Sequence, residues 1–395
     1  MPIHTKRVQI LIPVSVLVSG RGTVSFKIKG AHDVDTPPNF SSELRPIIAW
    51  NITRACNLKC LHCYIDAGAP SPYELSTEEA LNVVDQIRDI GSPLIIFSGG
   101  EPLLRRDLFT LASRAAGYGI KLVLSTNGVL IDKMMARKIL DTGFQYVGVS
   151  IDSYNPEWHD SFRGVRGSFK AAVEGIRNLV DLGVSVGIRY TITRYNISEA
   201  PGVIEFAASI GARRVTFYHL SYVGRALKLP RDWIPLPEQY KIFMDKVIEL
   251  AEKYSGVIEI ETTLGPFDGV YIAIKKARDS VEMKRLLEFV KRSGGCGRKI
   301  ISIFPDGSVK PCQFVDFIDL GNVRKEHLSS IIRNLEKEPY RVFIEPWKYV
   351  RRGKCAQCQF LQYCGGGDRV RAYHLEGSLD ASDPYCPIPA FTSRI

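Results

Sequence analysis

The sequence predicts an α/β protein built on a parallel β-sheet, and three observations point to that class. Between residues 46 and 220, short apolar runs of strand length alternate with longer segments of helical periodicity. This alternation gives five strand–helix units and a sixth strand, which favours parallel pairing with right-handed crossovers. From Cys296 onward, short strand-like runs, turns and closely spaced cysteines predict a second, smaller domain. Such a sheet is either open and doubly wound or curled into a full or partial barrel, and its functional face is the carboxyl end of the strands.

The predicted elements follow one another at regular intervals. The strands are Ile47–Asn51, Leu94–Phe97, Leu122–Ser125, Val147–Ile151, Val184–Thr191 and Arg214–His219. The helices lie near 77–90, 107–118, 132–142, 168–182 and 198–210, with two more over 237–254 and 280–292. Ser76 followed by Glu79 is the signature of a capping box, so the first of these helices is predicted to begin there.

The first 45 residues do not show the strand–helix alternation of residues 46–220. The apolar run from Ile10 to Val18 contains Pro13 and is shorter than the roughly 20 residues that span a membrane. The segment Ser19-Gly20-Arg21-Gly22 separates this run from one that alternates apolar and polar residues, so a β-hairpin is predicted and no membrane span or targeting segment is expected. The predicted domains are an N-terminal hairpin extension (1–45), a central α/β domain (46–290) and a cysteine-rich domain (291–395).

The net charge and the positions of the cysteines limit which classes of protein fit this sequence. The net charge of +10 suits an acidic substrate, but a generally basic surface explains it equally well. No block of five like charges occurs, so no nucleic-acid partner is expected. The nine cysteines are clustered, three at 56–63 and six between 296 and 386, unlike a secreted disulfide framework. The clustering predicts metal sites in a reducing, cytoplasmic setting.

The first cysteine cluster follows the first strand directly. Cys56, Cys60 and Cys63 have the spacing C-x3-C-x2-C, and three thiolates on a tight loop can each bind one iron of a [4Fe–4S] cluster. Such a cluster normally takes four cysteines, so one iron stays open. A zinc site or buried structural thiols are the alternatives. Structural zinc usually takes four ligands, and His62 lies awkwardly between two of the cysteines.

Together with Ser98-Gly99-Gly100-Glu101-Pro102 after the second strand, this spacing resembles the radical S-adenosylmethionine (SAM) superfamily. The resemblance covers roughly residues 46–220 and implies a partial (β/α)6 barrel. It also implies that the open iron binds SAM and that the reduced cluster cleaves SAM to a 5′-deoxyadenosyl radical. The segment Ser150-Ile151-Asp152 at the end of the fourth strand would meet the SAM ribose, and Arg189 the SAM carboxylate. The SAM-binding residues implied by the resemblance are Tyr64, Gly99, Gly100, Glu101, Pro102, Ser125, Asn127, Ser150, Asp152 and Arg189.

The second cysteine cluster resembles the SPASM extension, which carries auxiliary iron–sulfur clusters. Six of the seven cysteines of that pattern are present, and Asp368 stands at the position of the seventh. The resemblance implies one auxiliary [4Fe–4S] cluster, with zinc in the same thiolates as the alternative; its ligands are Cys355, Cys358, Cys364 and Cys386. Cys296 and Cys312 are either ligands of a second auxiliary cluster, with Asp368 as an oxygen ligand, or core thiols.

Three further strings resemble the haem-pathway branch of this superfamily, which includes haem d1 biosynthesis and didecarboxysirohaem deacetylation. They are Pro46–Arg54, Phe217–Leu220 with Gly224-Arg225, and Cys364–Ala372 followed by Asp383–Cys386. The resemblance implies radical removal of carboxylate side chains from a tetrapyrrole. His219 is then a catalytic candidate that binds the tetrapyrrole iron or donates a proton, unless it is a hydrogen-bonded wall residue. Candidate carboxylate clamps, or structural ion pairs, are Arg225, Arg369 and Arg371.

Two rival classes stay open. A SPASM-type maturase would act on a peptide or protein by thioether formation, cyclisation or metalloenzyme maturation, and the N-terminal hairpin would pair with the peptide. A non-catalytic iron–sulfur or zinc protein is the other rival. For the enzyme, a low-potential electron donor such as a ferredoxin is expected.

Overall fold

A computed structural model describes residues 12–20, 40–293 and 295–388, together with the single residues 22, 24 and 28. Its described strands form one sheet in the order β10-β9-β8-β1-β2-β3-β4-β5-β6-β7, parallel throughout except at β8–β9 and β9–β10. The strands are β1 (Ile47–Asn51), β2 (Leu94–Ser98), β3 (Lys121–Thr126), β4 (Phe144–Ser150), β5 (Val186–Ile192), β6 (Arg214–His219), β7 (Glu259–Thr263), β8 (Ile300–Ile303), β9 (Ser308–Lys310) and β10 (Gly321–Asn322). A parallel α/β sheet was predicted, and it is confirmed.

Helices cover the sheet and connect its strands. They are α1 (Val14–Ser19), α2 (Thr77–Asp89), α3 (Leu108–Gly117), α4 (Lys133–Asp141), α5 (Pro156–Arg163), α6 (Ser168–Asp181), α7 (Ala200–Ser209), α8 (Pro237–Lys253), α9 (Phe267–Lys276), α10 (Ser280–Arg292), α11 (Leu328–Arg333), α12 (Arg341–Ile344), α13 (Leu361–Cys364) and α14 (Arg369–Glu376). The predicted capping box at the start of α2 is present, since the Ser76 hydroxyl accepts from the Glu79 amide at 3.2 Å and Glu79 accepts from the Ser76 amide at 2.8 Å.

The sheet curls into a partial barrel. One cavity is lined by side chains or backbone from each of the strands β1 to β7, which requires these neighbouring strands to curve around a common space. The edge strands β7 and β10 do not pair with each other, so the curled sheet stays open. The partial barrel implied by the sequence is therefore present.

Strand β7 was not predicted from the sequence, and its charges explain why. Glu259 and Glu261 are buried although carboxylates are normally exposed. Both lie close to Arg214 of β6, with Nη2 3.2 Å from Glu259 Oε1 and Nε 3.5 Å from Glu261 Oε2. The acidic residues hide the apolar pattern of a buried strand, and the arginine on the neighbouring strand helps to make their burial tolerable.

The predicted N-terminal hairpin is wrong over its first arm. Residues Val14–Ser19 form the short helix α1, which begins after Pro13 and ends at Gly20 in the left-handed conformation (φ 69°). Before it, Ile12 pairs with Thr262 of β7 through two backbone hydrogen bonds of 2.9 and 3.0 Å. Successive residues from Val14 to Leu17 are buried, so this segment lacks a strand's alternation. The second arm lies mostly outside the described residues.

The C-terminal region is joined to the barrel through the sheet itself. Strand β8 pairs in parallel with β1, with Ile47 opposite Ile300, and the Ser302 hydroxyl donates to the Ala49 carbonyl at 2.6 Å. The carboxyl ends of the central strands face the loops that carry the first cysteine cluster. In the part of the chain that is described, no helix combines the length and apolar character needed to traverse a lipid bilayer.

Candidate active site

The loop after β1 brings the three predicted cluster cysteines to one cavity. Each sulfur also receives a hydrogen-bond donor. The Leu58 amide donates to Cys56 Sγ at 3.4 Å, and the Ala67 amide donates to Cys63 Sγ at 3.3 Å. Arg163 Nη1 lies 3.6 Å from Cys60 Sγ. Donors aimed at sulfur stabilise thiolates, which are the metal-binding form of cysteine.

Burial works against the free thiolates until metal binds. It raises the pKa of Cys56 to about 11, helped by the nearby Cys60, Glu101 and Cys63, although the Leu58 amide opposes the rise. Burial also raises the pKa of Cys60, and the charge of Arg163 opposes it. Binding of iron would therefore release protons from these thiols.

Two arginines hold the cysteine loop in place. Arg163, at the end of α5, forms an ion pair with Asp152 (Nη2–Oδ2 2.5 Å), and its carbonyl accepts from the Lys59 amide at 3.1 Å. Arg225 donates to the carbonyls of Cys60 (2.9 Å) and Ala67 (2.5 Å) from the opposite side. The loop geometry thus depends on residues more than 90 positions away along the chain.

The glycines after β2 pack directly on the cysteine loop. A Cβ atom on Gly99, whose φ is 127°, would lie 2.5 Å from the Thr53 carbonyl oxygen. A Cβ atom on Gly100 would lie 2.2 Å from the Ala55 carbonyl oxygen. The Gly100 amide donates to Thr53 at 2.8 Å. The close approach of two backbones therefore requires both glycines.

Glu101 is buried behind the cavity, and it is not part of the cavity wall. Its carboxylate accepts from the Thr126 hydroxyl (2.8 Å), the Asn127 amide (2.8 Å) and the Leu103 amide (3.1 Å). Burial raises its pKa to about 7, and these hydrogen bonds limit the rise. The structure thus ties the ends of β2 and β3 together through Glu101, and the direct SAM contact predicted for it and for Pro102 is not supported by the cavity lining.

Of the segment predicted to meet the SAM ribose, Ser150 lines the cavity and Asp152 does not. Asp152 is fully buried. It accepts from the Thr191 amide at 2.7 Å and pairs with Arg163. Burial acts to raise the pKa of Asp152, but Arg163, His62 and His159 together hold it below its usual value. Asp152 therefore positions Arg163, and sequence reasoning missed the arginine because only the fold brings α5 under the cysteine loop.

The remaining predicted SAM-binding residues do line the cavity: Tyr64, Gly99, Gly100, Ser125, Asn127, Ser150 and Arg189. The Tyr64 hydroxyl donates to Asn51 Oδ1 at 2.6 Å, and burial raises its pKa to about 12. Arg189 Nε donates to the Tyr218 hydroxyl at 3.1 Å. These groups offer hydrogen-bond partners for a polar ligand next to the thiols.

His219 lies at the end of β6 in the same cavity wall as the cysteines. Its Nε2 is 2.7 Å from Asp268 Oδ2, and the Tyr240 hydroxyl donates to the other Asp268 oxygen at 2.8 Å. Its Nδ1 is buried and has no hydrogen-bond partner. A carboxylate that fixes one ring nitrogen leaves the other for proton transfer or metal binding, so the geometry is compatible with the predicted catalytic role.

Four cysteines of the C-terminal region form a second group. Electrostatic coupling links Cys364 to Cys355 and Cys358, and Cys386 to Cys364 and Cys355, so the four thiols lie close together. Burial raises the pKa of Cys364 to about 12. Arg369 holds the surrounding loops by donating to the carbonyls of Leu379 and Ala381. This arrangement fits the predicted four-cysteine auxiliary cluster.

Cys296 and Cys312 are joined in a disulfide, with their Cα atoms 4.9 Å apart. Neither is a free core thiol, and neither can bind iron in this form. Asp368 caps α14 by accepting from the Val370 amide at 2.9 Å, and it also accepts from the Ser221 hydroxyl at 3.3 Å. The predicted ligand set of a second auxiliary cluster is therefore not assembled in this structure.

The arginines predicted as carboxylate clamps are used structurally. Arg371 forms a two-point contact with Asp383 (2.9 and 2.6 Å) and donates to the Leu220 and Leu264 carbonyls. Arg225 and Arg369 are occupied by the contacts described above. The alternative of structural pairing is therefore the correct one for all three.

Within the described residues, no group of three or more His, Cys, Asp or Glu side chains is arranged to hold a single metal ion. The ligands of a [4Fe–4S] cluster each bind a different iron, so their sulfurs lie farther apart than the ligands of one ion. The loop of Cys56, Cys60 and Cys63, with a donor on every sulfur, fits such a cluster with one iron left open.

Comparison with known proteins agrees with this geometry. Residues 50–207 match the family model of the radical SAM superfamily, and residues 295–359 match that of an iron–sulfur cluster-binding domain called SPASM. Fe-coproporphyrin III synthase of Methanosarcina barkeri is 36% identical over 95% of this chain and 97% of its own length. Pre-heme d1 synthase of Dinoroseobacter shibae is 33% identical over 90% of this chain and 89% of its own. The fold is similar to that of native anSMEcpe with bound AdoMet, with a TM-score of 0.67 and 20% identity over 87% of this chain and 95% of the other.

Proposed function

The chain belongs to the radical SAM superfamily, and from this premise we propose that it removes carboxylate side chains from a tetrapyrrole in haem or haem d1 biosynthesis. The observation that carries the proposal is the meeting of two cavities at the carboxyl ends of the strands. The cavity of the cysteine loop and the larger barrel cavity share Ser125, Arg189, Tyr218, Leu264 and Phe314 in their walls. A radical formed at the first cavity would therefore reach a substrate in the second.

Cys56, Cys60 and Cys63 would hold the SAM-binding cluster, which supplies the electron that cleaves SAM to a 5′-deoxyadenosyl radical. Gly99 and Gly100 keep the strand end in contact with the cysteine loop. Tyr64, Asn127 and Arg189 would orient SAM through hydrogen bonds.

The larger cavity suits a flat, acidic substrate. Most of its wall is apolar, including Ile96, Val123 and Phe314. Arginine side chains interrupt this wall, and carboxylates are the groups that a guanidinium binds best. A tetrapyrrole combines an apolar macrocycle with several carboxylates. The apolar wall would contact the macrocycle, and the arginines would bind the carboxylates.

His219 would act from the wall of the cysteine-loop cavity, which adjoins the larger cavity. With Nε2 fixed by Asp268, its Nδ1 is the nitrogen that can donate a proton to the product or bind the tetrapyrrole iron. The neighbouring Cys355, Cys358, Cys364 and Cys386 would hold the auxiliary cluster, which supplies or accepts an electron. Cys364 lies in the wall of the larger cavity, which favours this role.

The proposal also covers the electron donor and the cellular compartment. The clusters need a low-potential electron donor, and we infer that a ferredoxin-like protein supplies it. A reducing cytoplasm suits both the donor and the exposed iron of the first cluster.

The test is an anaerobic reaction of the reconstituted, reduced protein with SAM and didecarboxysirohaem. Mass spectrometry would follow 5′-deoxyadenosine and the tetrapyrrole in the same samples. We expect 5′-deoxyadenosine together with a tetrapyrrole that has lost side-chain fragments. Formation of 5′-deoxyadenosine beside an unchanged tetrapyrrole would contradict the proposed substrate and favour a peptide or protein, the alternative class predicted from the sequence.

A further inference from the structure

Arg298 stands in the wall of the larger cavity without a carboxylate partner. It lies between α10 and β8, two residues after Cys296. Its Nη1 donates to the Lys291 carbonyl at 3.1 Å, and its Nε is buried with no hydrogen-bond partner. Among the residues that the structure describes, no carboxylate forms an ion pair with it.

The other arginines of this wall are already occupied. Arg214 lies between Glu259 and Glu261. Arg369 donates to the carbonyls of Leu379 and Ala381 and supports the cysteine group. Arg189 bonds to Tyr218 in the part of the wall that both cavities share, where a SAM role is predicted. Among the described arginines of this wall, Arg298 is therefore the one that contacts only a backbone carbonyl and keeps an unbonded Nε.

The charge of Arg298 is costly where it stands. Burial lowers the pKa of its guanidinium, and Glu43 and Glu345 compensate only in part from a distance. Glu345 is itself engaged by Arg341 at 2.6 Å and Lys348 at 2.7 Å. A partly buried cation without a carboxylate partner is stabilised by an anion that reaches it through the cavity.

Trp347 and Lys291 complete the surroundings of this cation. The guanidinium carbon of Arg298 lies 5.3 Å from the centre of the Trp347 ring, and Lys291 Nζ lies 5.9 Å from the same centre. All three residues line the cavity. An anion here would meet two positive charges and a flat aromatic face that holds them in place.

This group lies away from the cysteine loop. The larger cavity runs from Ser125 at the carboxyl end of β3 to Ile47 and Ile300, the first residues of β1 and β8. Arg298 precedes Ile300 by two residues and so lies at the amino ends of the strands. The three cluster cysteines follow the carboxyl end of β1. A ligand held at Arg298 would extend its opposite edge toward SAM.

We propose that Arg298 and Lys291 form a carboxylate subsite, with Trp347 as its aromatic wall, and that it holds a propionate group of the tetrapyrrole. This inference rests on the proposed function. The subsite anchors the edge of the macrocycle that does not react. This subsite replaces Arg225, Arg369 and Arg371 as the candidate that binds the carboxylates of the substrate.

The test is a fluorescence titration of the reconstituted wild-type protein with coproporphyrin III, repeated on Arg298→Met, Arg298→Lys and Lys291→Met. We expect Arg298→Met to raise the Kd about tenfold to a hundredfold, since it removes a charge-assisted, two-point contact. Arg298→Lys keeps the charge but not the fork and should give a smaller rise. Lys284→Met, on the exposed face of the same helix, is the matched control and should bind like the wild type. The tetramethyl ester of the porphyrin should not discriminate between wild type and Arg298→Met.

The outcomes separate the subsite from the proposed function. If the wild type binds coproporphyrin III and both Arg298 variants and Lys291→Met bind it equally well, the subsite is wrong and the tetrapyrrole assignment stands. If the wild type itself does not bind the porphyrin, the proposed function fails and the subsite with it. Thermal unfolding of each variant identifies any that is misfolded, and Lys291→Met then decides the result.

Discussion

The two cysteine groups of this protein differ in ligand number and in access. The loop after β1 offers three thiols, each with a donor on its sulfur, at the wall of a cavity. The C-terminal group offers four thiols, of which Cys364 reaches the wall of the larger cavity. A cluster with three protein ligands keeps one iron for chemistry, whereas a cluster with four is closed and suited to electron transfer. The difference of one cysteine therefore separates the reactive site from the auxiliary site.

Removing one cysteine from the open site should have the largest effect. We expect Cys60→Ala to abolish 5′-deoxyadenosine formation, since two thiolates cannot hold the cluster in a loop built for three. Liquid chromatography of the quenched reaction measures this. Retained SAM cleavage in Cys60→Ala would contradict the assignment of the open site.

Removing one cysteine from the four-thiol C-terminal site should separate SAM cleavage from product formation. In Cys358→Ala we expect about four fewer iron atoms per chain, continued SAM cleavage and loss of the tetrapyrrole product, because the closed cluster does not bind SAM. Iron analysis and mass spectrometry give the two readouts, and circular dichroism checks that the C-terminal region stays folded. Normal product formation without that iron would show that the auxiliary cluster has no part in turnover.

A smaller effect is expected from the arginine beside Cys60. Arg163→Met removes the donor to Cys60 Sγ and the arginine partner of Asp152, so we expect a lower midpoint potential of the open cluster and slower SAM cleavage. Potentiometric titration followed by electron paramagnetic resonance measures the potential, and Arg163→Lys should restore part of it. The exposed Arg166, three residues further on, provides the control Arg166→Met. An unchanged potential in Arg163→Met would mean that the contact is only structural.

The smallest effect concerns pH and the carboxylate behind the open site. The pKa of Glu101 is raised to about 7 in the folded protein, so between about pH 4.5 and 7 the native state holds a proton that the unfolded state has released. Stability should therefore fall as pH rises through this window, and Glu101→Gln should flatten the fall. Denaturant unfolding at several pH values measures it. An equal slope in both proteins would place the pKa of Glu101 near its ordinary value.

Sequence reasoning succeeded where chemistry is local in the chain. The spacing of Cys56, Cys60 and Cys63 and the following Gly99-Gly100 were enough to predict one site, because each motif carries its own geometry. It also predicted β1 to β6, which are rich in apolar residues.

It left alternatives open, or missed an element, where the partner of a charge decides its role. For Arg225 and Arg371 both a carboxylate clamp and a structural ion pair were predicted, and the fold supplies the carbonyls and Asp383 that make the structural alternative correct. Strand β7 was missed because Glu259 and Glu261 are buried beside Arg214, a partner that lies on another strand. A sequence shows that a charged residue is present, but it does not show which side chain or backbone group pairs with that residue in the fold.

The pairing of β1 with β8 has a consequence for how the protein is made. The Ala49 carbonyl meets the Ser302 hydroxyl 253 positions later in the chain. At about 5–20 residues per second, a ribosome takes roughly 10–50 s to synthesise that interval, and until then one edge of the first strand has no neighbour. An apolar strand with an open edge is prone to pair with another nascent chain. We therefore expect newly made protein to depend on a chaperone or on early metal delivery during this interval, and truncation before β8 to yield aggregates in place of an independent barrel.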